Sequence, residues 1–206
     1  MPANASISIN FDTLKDKSLV NDYYDGGFAS DGTGRGPNYG ITFANATVLD
    51  EYTENEGLLK TAPNSITFLS GVGAIMDVAA GFTTGFSFNY SAPFFTGVVD
   101  VYSGLDGGGN LLATITLPET TNCAGMDGCM GHNYCPLFPI GVNFAGIAKS
   151  VNFSGTANYV VYDDITLGSA TPGTPEASTW AMLILGFGGL GLAGYRASRK
   201  AAAAAA

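Results

Sequence analysis

Short runs of alternating apolar and polar residues, broken every few positions by Gly, Asn, Asp or Pro, fill the chain from residue 6 to residue 168. Ser6-Ile7-Ser8-Ile9-Asn10-Phe11 alternates cleanly, and the stretches 41–44, 47–49, 82–90, 98–102, 111–117, 151–153 and 159–167 continue the theme. A period of two predicts half-buried strands, since successive side chains point to opposite faces. The sequence Asp106-Gly107-Gly108-Gly109-Asn110 lies between two such runs and reads as a hairpin turn. Outside the C-terminal tail no run of about ten residues carries the helical period of 3.6. Eight or so strands at this spacing predict an all-β sandwich or jelly roll over residues 6–168.

The pattern changes completely after residue 168. A Pro/Gly-rich linker, 169–176, precedes a stretch from Trp180 to Tyr195 that holds no charge. Arg196, Arg199 and Lys200 follow at once. At about 1.5 Å per residue the uncharged run reaches about 24 Å as a helix, a little short of the ~20 residues wanted for a full membrane span. Glycines at 186, 188, 189, 191 and 194 would weaken a helix in water and are tolerated better in a membrane. The aromatic ends and the basic cluster suit a membrane segment whose basic end is cytoplasmic. Residues 177–200 are therefore predicted as a single C-terminal hydrophobic helix.

Composition narrows the choices. Only 12% of the 206 residues are charged, yet 46% are hydrophobic, which excludes disorder for most of the chain. The abundance of glycine (29 residues) suits turns better than helices. A net charge of −9 excludes nucleic acid as a partner, because that needs clustered Lys and Arg. The start, Met1-Pro2-Ala3-Asn4-Ala5, has no basic and apolar leader, and Ala3-Asn4-Ala5 fits the small-x-small end of a cleavage site. A mature chain beginning near Ser6 is expected.

Pro175-Glu176, the Trp180-Ala181-Met182 triplet, the Gly-rich apolar run and the basic end together resemble the PEP-CTERM sorting signal of Gram-negative bacteria. Ala177 stands where that pattern has its second proline. The resemblance covers about 30 residues and implies export, recognition by a membrane exosortase at Pro175, Glu176, Trp180, Arg196, Arg199 and Lys200, and a final place at the cell surface or outside it. Three phrases of the preceding domain are similar to jelly-roll domains of the carbohydrate-binding-module type. They are Ile9-Asn10-Phe11-Asp12, Tyr39-Gly40-Ile41-Thr42-Phe43 and Tyr162-Asp163-Asp164-Ile165-Thr166-Leu167.

Candidate chemistry is concentrated in acidic positions. Asp163 and Asp164 interrupt the last strand, and as neighbours they cannot both face inward. With Asp12, which follows the first strand, they make an expected set of oxygen ligands for calcium, whose coordination needs six to eight oxygens. The loop from Asp22 to Gly36 has a cation-binding composition without the EF-hand pattern. Cys123, Cys129 and Cys135 share one loop with His132, the chain's single histidine. One disulfide with one thiol left over is the expected state, its pairing open; zinc on three thiolates and an imidazole is the competing one. No nucleophile–base constellation emerges. Tyr23, Tyr24 and Tyr39 are expected as exposed rings for stacking on sugar. The reading that follows is an exported, non-enzymatic surface or matrix protein that contacts exopolysaccharide. A self-assembling subunit of a filament or layer is its alternative, joined by strand addition or a spare cysteine.

Overall fold

The computed structural model describes residues 6–49, 64–121 and 137–171. They fall within one compact unit, Met1–Pro172. The three cysteines, His132, and the sorting tail from residue 172 onward lie outside the described residues. So do most of the linker and all of the predicted C-terminal helix.

Every regular element among the described residues is a strand: β1 (Ile7–Ile9), β2 (Ile41–Ala44), β3 (Thr47–Leu49), β4 (Ser65–Thr67), β5 (Gly73–Phe82), β6 (Gly85–Ser91), β7 (Gly97–Tyr102), β8 (Leu111–Leu117), β9 (Phe138–Asn143), β10 (Ala148–Gly155) and β11 (Val161–Leu167). They form two antiparallel sheets. One runs β3-β4-β11-β6-β9 with β1 added beside β11, and the other runs β2-β5-β10-β7-β8. Numbering β4 to β11 as first to eighth, the sheet orders are first-eighth-third-sixth and second-seventh-fourth-fifth. That interleaving is the strand order of a jelly roll.

The hairpin predicted at residues 106–110 joins β7 and β8 as expected. The run 82–90 is β6 preceded by a turn and by the last residue of β5. β5 ends at Phe82 and β6 starts at Gly85, with Thr84 held at φ 75° in the turn between them. Phe82, Thr84 and Phe86 keep the two-residue spacing across the turn, although Gly81 and Gly85 flank it. Strands β4 and β9, and all of β5 before Phe82, were not foreseen: β4 is only three residues long, Pro139 and Gly141 disguise β9, and the glycines and alanines of Gly73–Phe82 dilute the alternation of β5.

The core is the set of alternate residues that the two sheets turn toward each other. Phe86, Phe88 and Tyr162 of one sheet pack against Phe153 of the other, with ring centroids 4.9–6.0 Å apart. Edge-to-face and tilted ring pairs of this kind add about 0.5–1.5 kcal/mol each beyond burial. A second aromatic group, Phe11, Tyr24 and Phe43, lies where the N-terminal segment meets β2. That segment also runs along one side of the sandwich. Lys17 N–H donates to the Val48 carbonyl, Val20 N–H to that of Ala46 and Phe43 N–H to that of Asn21. Backbone groups of β2 and β3 that would otherwise be open edges are thereby satisfied.

The chain leaves β11 across the outer face of β6 and β9. Gly168 N–H donates to the Gly85 carbonyl (2.9 Å), Thr84 Oγ1 to that of Gly168 (2.7 Å) and Ser87 Oγ to that of Ser169 (3.0 Å). Two bare backbones make room for this strap. A Cβ at Gly85 would lie 2.5 Å from Ala170 N, and one at Gly141 would overlap the Ala170 carbonyl.

Candidate functional site

The predicted acidic residues meet at a hand-over in the sheet. β1 pairs with β11 at Ile165, Thr166 and Leu167, whereas β4 takes the same edge at Tyr162. Between them the register of β11 against β6 slips by one residue, between Asp163 and Thr166. Asp164 sits in this bulge at φ 49°, a left-handed conformation that Asp tolerates better than most residues. The extra residue resolves the alternation problem seen in the sequence. Tyr162 and Ile165 both point into the core, and Asp163 points to the opposite face.

Asp163 is nevertheless 0% exposed. Neither of its carboxylate oxygens makes a hydrogen bond of good geometry. Burial first, and the charge of Asp164 second, push its carboxyl up to about 8. The nearby Asp164 N–H offsets this in part, and Asp12 adds a smaller upward push. Burial also raises Asp164, against a hydrogen bond from Asn89 Nδ2 to its Oδ2 (2.8 Å). Asp12 accepts the Asn64 N–H at Oδ1 (3.0 Å), which ties the loop after β1 to the start of β4. Tyr24 closes the group: its hydroxyl donates to the Asn10 carbonyl, and burial followed by the field of Tyr23 and of Asp163 raises its ionisation.

The sequence thus placed Asp12, Asp163 and Asp164 in one neighbourhood, and the structure brings them there. They do not form a finished cage. Among the described residues no three His, Cys, Asp or Glu side chains converge closely enough to hold a metal by themselves. What the site offers is one buried carboxylate with no well-formed hydrogen bond, two flanking carboxylates partly engaged elsewhere, and backbone carbonyls. That all-oxygen set fits a hard cation such as Ca²⁺ and not a thiophilic one. The other acidic loop is accounted for locally, since Asp31 accepts both the N–H and the hydroxyl of Thr33 (2.8 and 2.6 Å).

The three tyrosines need correction. Tyr23 and Tyr24 are 8% and 4% exposed and belong to the core, because the N-terminal segment turns the Tyr24 ring onto Phe11 and Phe43 and the Tyr23 ring packs edge-on against Tyr24. Only Tyr39 is exposed, at 43%, stacked on Tyr24 with rings 6.4 Å apart and 10° from parallel. A different ring cluster, which the sequence did not reveal, stands at the loop end of the sandwich. Phe94 and Phe95, between β6 and β7, pack edge-to-face on Tyr159, between β10 and β11, at 5.9 and 4.8 Å. The three are 37%, 45% and 38% exposed. The adjacent Phe94-Phe95 pair in a Pro-containing loop was the available signal.

Comparison with known proteins gives structural likenesses of low identity. The chain is similar to a carbohydrate binding module from Cellvibrio mixtus lichenase 5A in complex with cellotriose, at TM-score 0.38 and 12% identity over 62% of this chain and 89% of that one. It is also similar to CBM35 from Paenibacillus barcinonensis, at TM-score 0.37 and 18% identity over 62% and 91%. A beta-1,3-glucan binding CBM6 from Bacillus halodurans matches at TM-score 0.37 and 12% identity over 83% and 97%. No family model and no curated protein matches the sequence.

Proposed function

We infer that this chain is an exported, non-enzymatic surface domain that binds extracellular polysaccharide and has its last strand clamped by a calcium ion. The observation that carries the binding is the exposed trio Phe94, Phe95 and Tyr159. Rings left in water on loops, each steadied edge-on by a neighbour, present flat apolar faces of the kind on which a sugar ring stacks. Export to the surface is supported by the sorting signal that residues 175–200 resemble, with an exosortase and the membrane as partners during sorting. The calcium reading is supported by Asp163, whose buried oxygens make no hydrogen bond of good geometry. Asp163 would hold the ion with Asp12 and Asp164 beside it. Its charge would keep Asp163 and Asp164 ionised and stiffen the β1–β4 hand-over.

Pull-down of the purified protein on a panel of insoluble and matrix polysaccharides tests the binding. Retention is expected on at least one polymer, falling about tenfold in Phe95→Ala/Tyr159→Ala. Failure to bind any polymer would sink the reading.

A further inference from the structure

The outer face of the five-stranded sheet carries a second set of ligand-like groups. Strand register defines its content. Met76, Val99, Val101, Val151 and Phe153 turn inward and are buried, so their neighbours turn outward. Asn152 stands between Ile75 of β5 and Asp100 of β7, and Asp100 stands opposite Thr114 of β8. The next row places Thr42 beside Asp77, and Ser150 between Asp77 and Tyr102. Five strands at about 4.8 Å give the face a width of about 19 Å.

One end of this face is walled. The loop 103–110 folds back over β10 toward β5, with Gly107 N–H donating to Ser150 Oγ (3.0 Å), Ser150 Oγ to the Gly104 carbonyl (2.6 Å) and Asp106 N–H to Asp77 Oδ1 (2.9 Å). Ser150 is fully buried beneath it. Above the wall Thr42, Asp77, Asn152, Asp100 and Tyr102 stay half-buried and Thr114 exposed. Asp100 is aimed by Thr114 Oγ1, which donates to its Oδ1 (2.6 Å).

Two features point to an absent ligand. Asn152 Oδ1 is buried without a hydrogen-bond partner and lies over the bare backbone of Gly73, where a Cβ would overlap it. An orphaned amide acceptor is costly, and a ligand donor met by a turn of that amide would recover the loss. In addition, none of Asp77, Asp100 and Asp106 is ion-paired among the described residues. The sheet's one lysine, Lys149, pairs with none of them. The Asp106 N–H bond to Asp77 Oδ1 puts the two carboxylates in one patch, where burial first and the Asp106 charge after it raise the proton affinity of Asp77, a cost that a bound cation would offset. Such a surface repels uronate or sulfate polymers and attracts ammonium groups.

We propose that this face binds a glycan chain bearing free amino groups, a hexosamine polymer, its ammonium groups on Asp100 and the Asp77–Asp106 patch and its hydroxyls on Asn152 and Thr114. It rests on the polysaccharide reading but uses a surface separate from the Phe94–Phe95–Tyr159 cluster. Isothermal titration of the full chain would compare a glucosamine hexasaccharide, its fully N-acetylated counterpart and a hexuronate oligomer. The glucosamine oligomer should bind, at least about tenfold more tightly than the acetylated one, and weaken as salt rises. Asp100→Asn, and Thr114→Val, which leaves Asp100 held only by the long Tyr102 hydroxyl bond to its Oδ2 (3.5 Å), should each weaken it, the former about tenfold, with melting unchanged. Equal binding of the acetylated oligomer, preference for the hexuronate, or indifference to both variants overturns the proposal. Loss only in Phe95→Ala/Tyr159→Ala also overturns it while leaving the polysaccharide reading standing. Binding to no polysaccharide at all removes both.

Discussion

Burying a carboxylate costs most when its oxygens lack well-formed hydrogen bonds, and Asp163 is in that position, with only the nearby Asp164 N–H offsetting the cost in part. Below its unfolded-state range the group is protonated in both states and adds no pH dependence. As pH rises from the ordinary 3.8 toward about 8, the unfolded chain ionises freely while the folded chain holds its proton. Metal-free stability must therefore fall across that window and level off above it. At about 1.4 kcal/mol per tenfold in proton affinity the loss reaches several kcal/mol. Asp164, also raised, adds to the same slope. Urea unfolding in EDTA at pH 5, 6.5 and 8 should show the decline, saturating calcium should flatten it, and Asp163→Asn should remove most of it. An unchanged slope in Asp163→Asn would exclude this residue as the source. The sequence exposed Asp12, Asp163 and Asp164 because charge interrupts apolar alternation there. It hid the burial of Tyr23 and Tyr24, since a ring in a Gly-rich loop looks the same whether the loop faces water or plugs an edge.

Among the elements, the strap of residues 168–171 depends on what its neighbours lack. A methyl group at residue 141 would overlap the Ala170 carbonyl and lie 2.6 Å from Ser87 Cβ. Gly141→Ala should lift the strap, cost about 1–3 kcal/mol and speed hydrogen exchange at Gly168, whose N–H now bonds to Gly85. Unaltered exchange at that amide would show that the strap tolerates the methyl. Legibility at this scale followed local chemistry. β7 and β8 were visible because strict alternation flanks an Asp-Gly turn. The break at Thr83 and Thr84 was missed because the positive φ falls on a threonine, which rarely adopts it, and the flanking Gly81 and Gly85 were read as part of one strand. The polar outer face of β5, β10, β7 and β8 also escaped notice, since it exists only once register aligns residues distant in sequence.

For the molecule as a whole, the N-terminal segment belongs to the same cooperative unit as the two sheets. It supplies Phe11 and Tyr24 to the core and completes the backbone bonding of β2 and β3. Tyrosine fluorescence and far-UV circular dichroism should thus report one coincident transition in urea, and chelation should shift both curves together. An earlier tyrosine transition in EDTA would mean that the segment detaches by itself.

The position of β11 has a mechanical consequence. Anything that pulls on the chain beyond Thr171 pulls on a strand bonded to β6 along one edge and to β1 and β4 along the other. Tension applied along that strand loads those hydrogen bonds in parallel, in shear, and does not open them one after another. The strap adds a first, weaker link that yields before the sheet does. A domain held at its C-terminus against flowing water or a dragging polymer would thus give slightly at the strap and then resist.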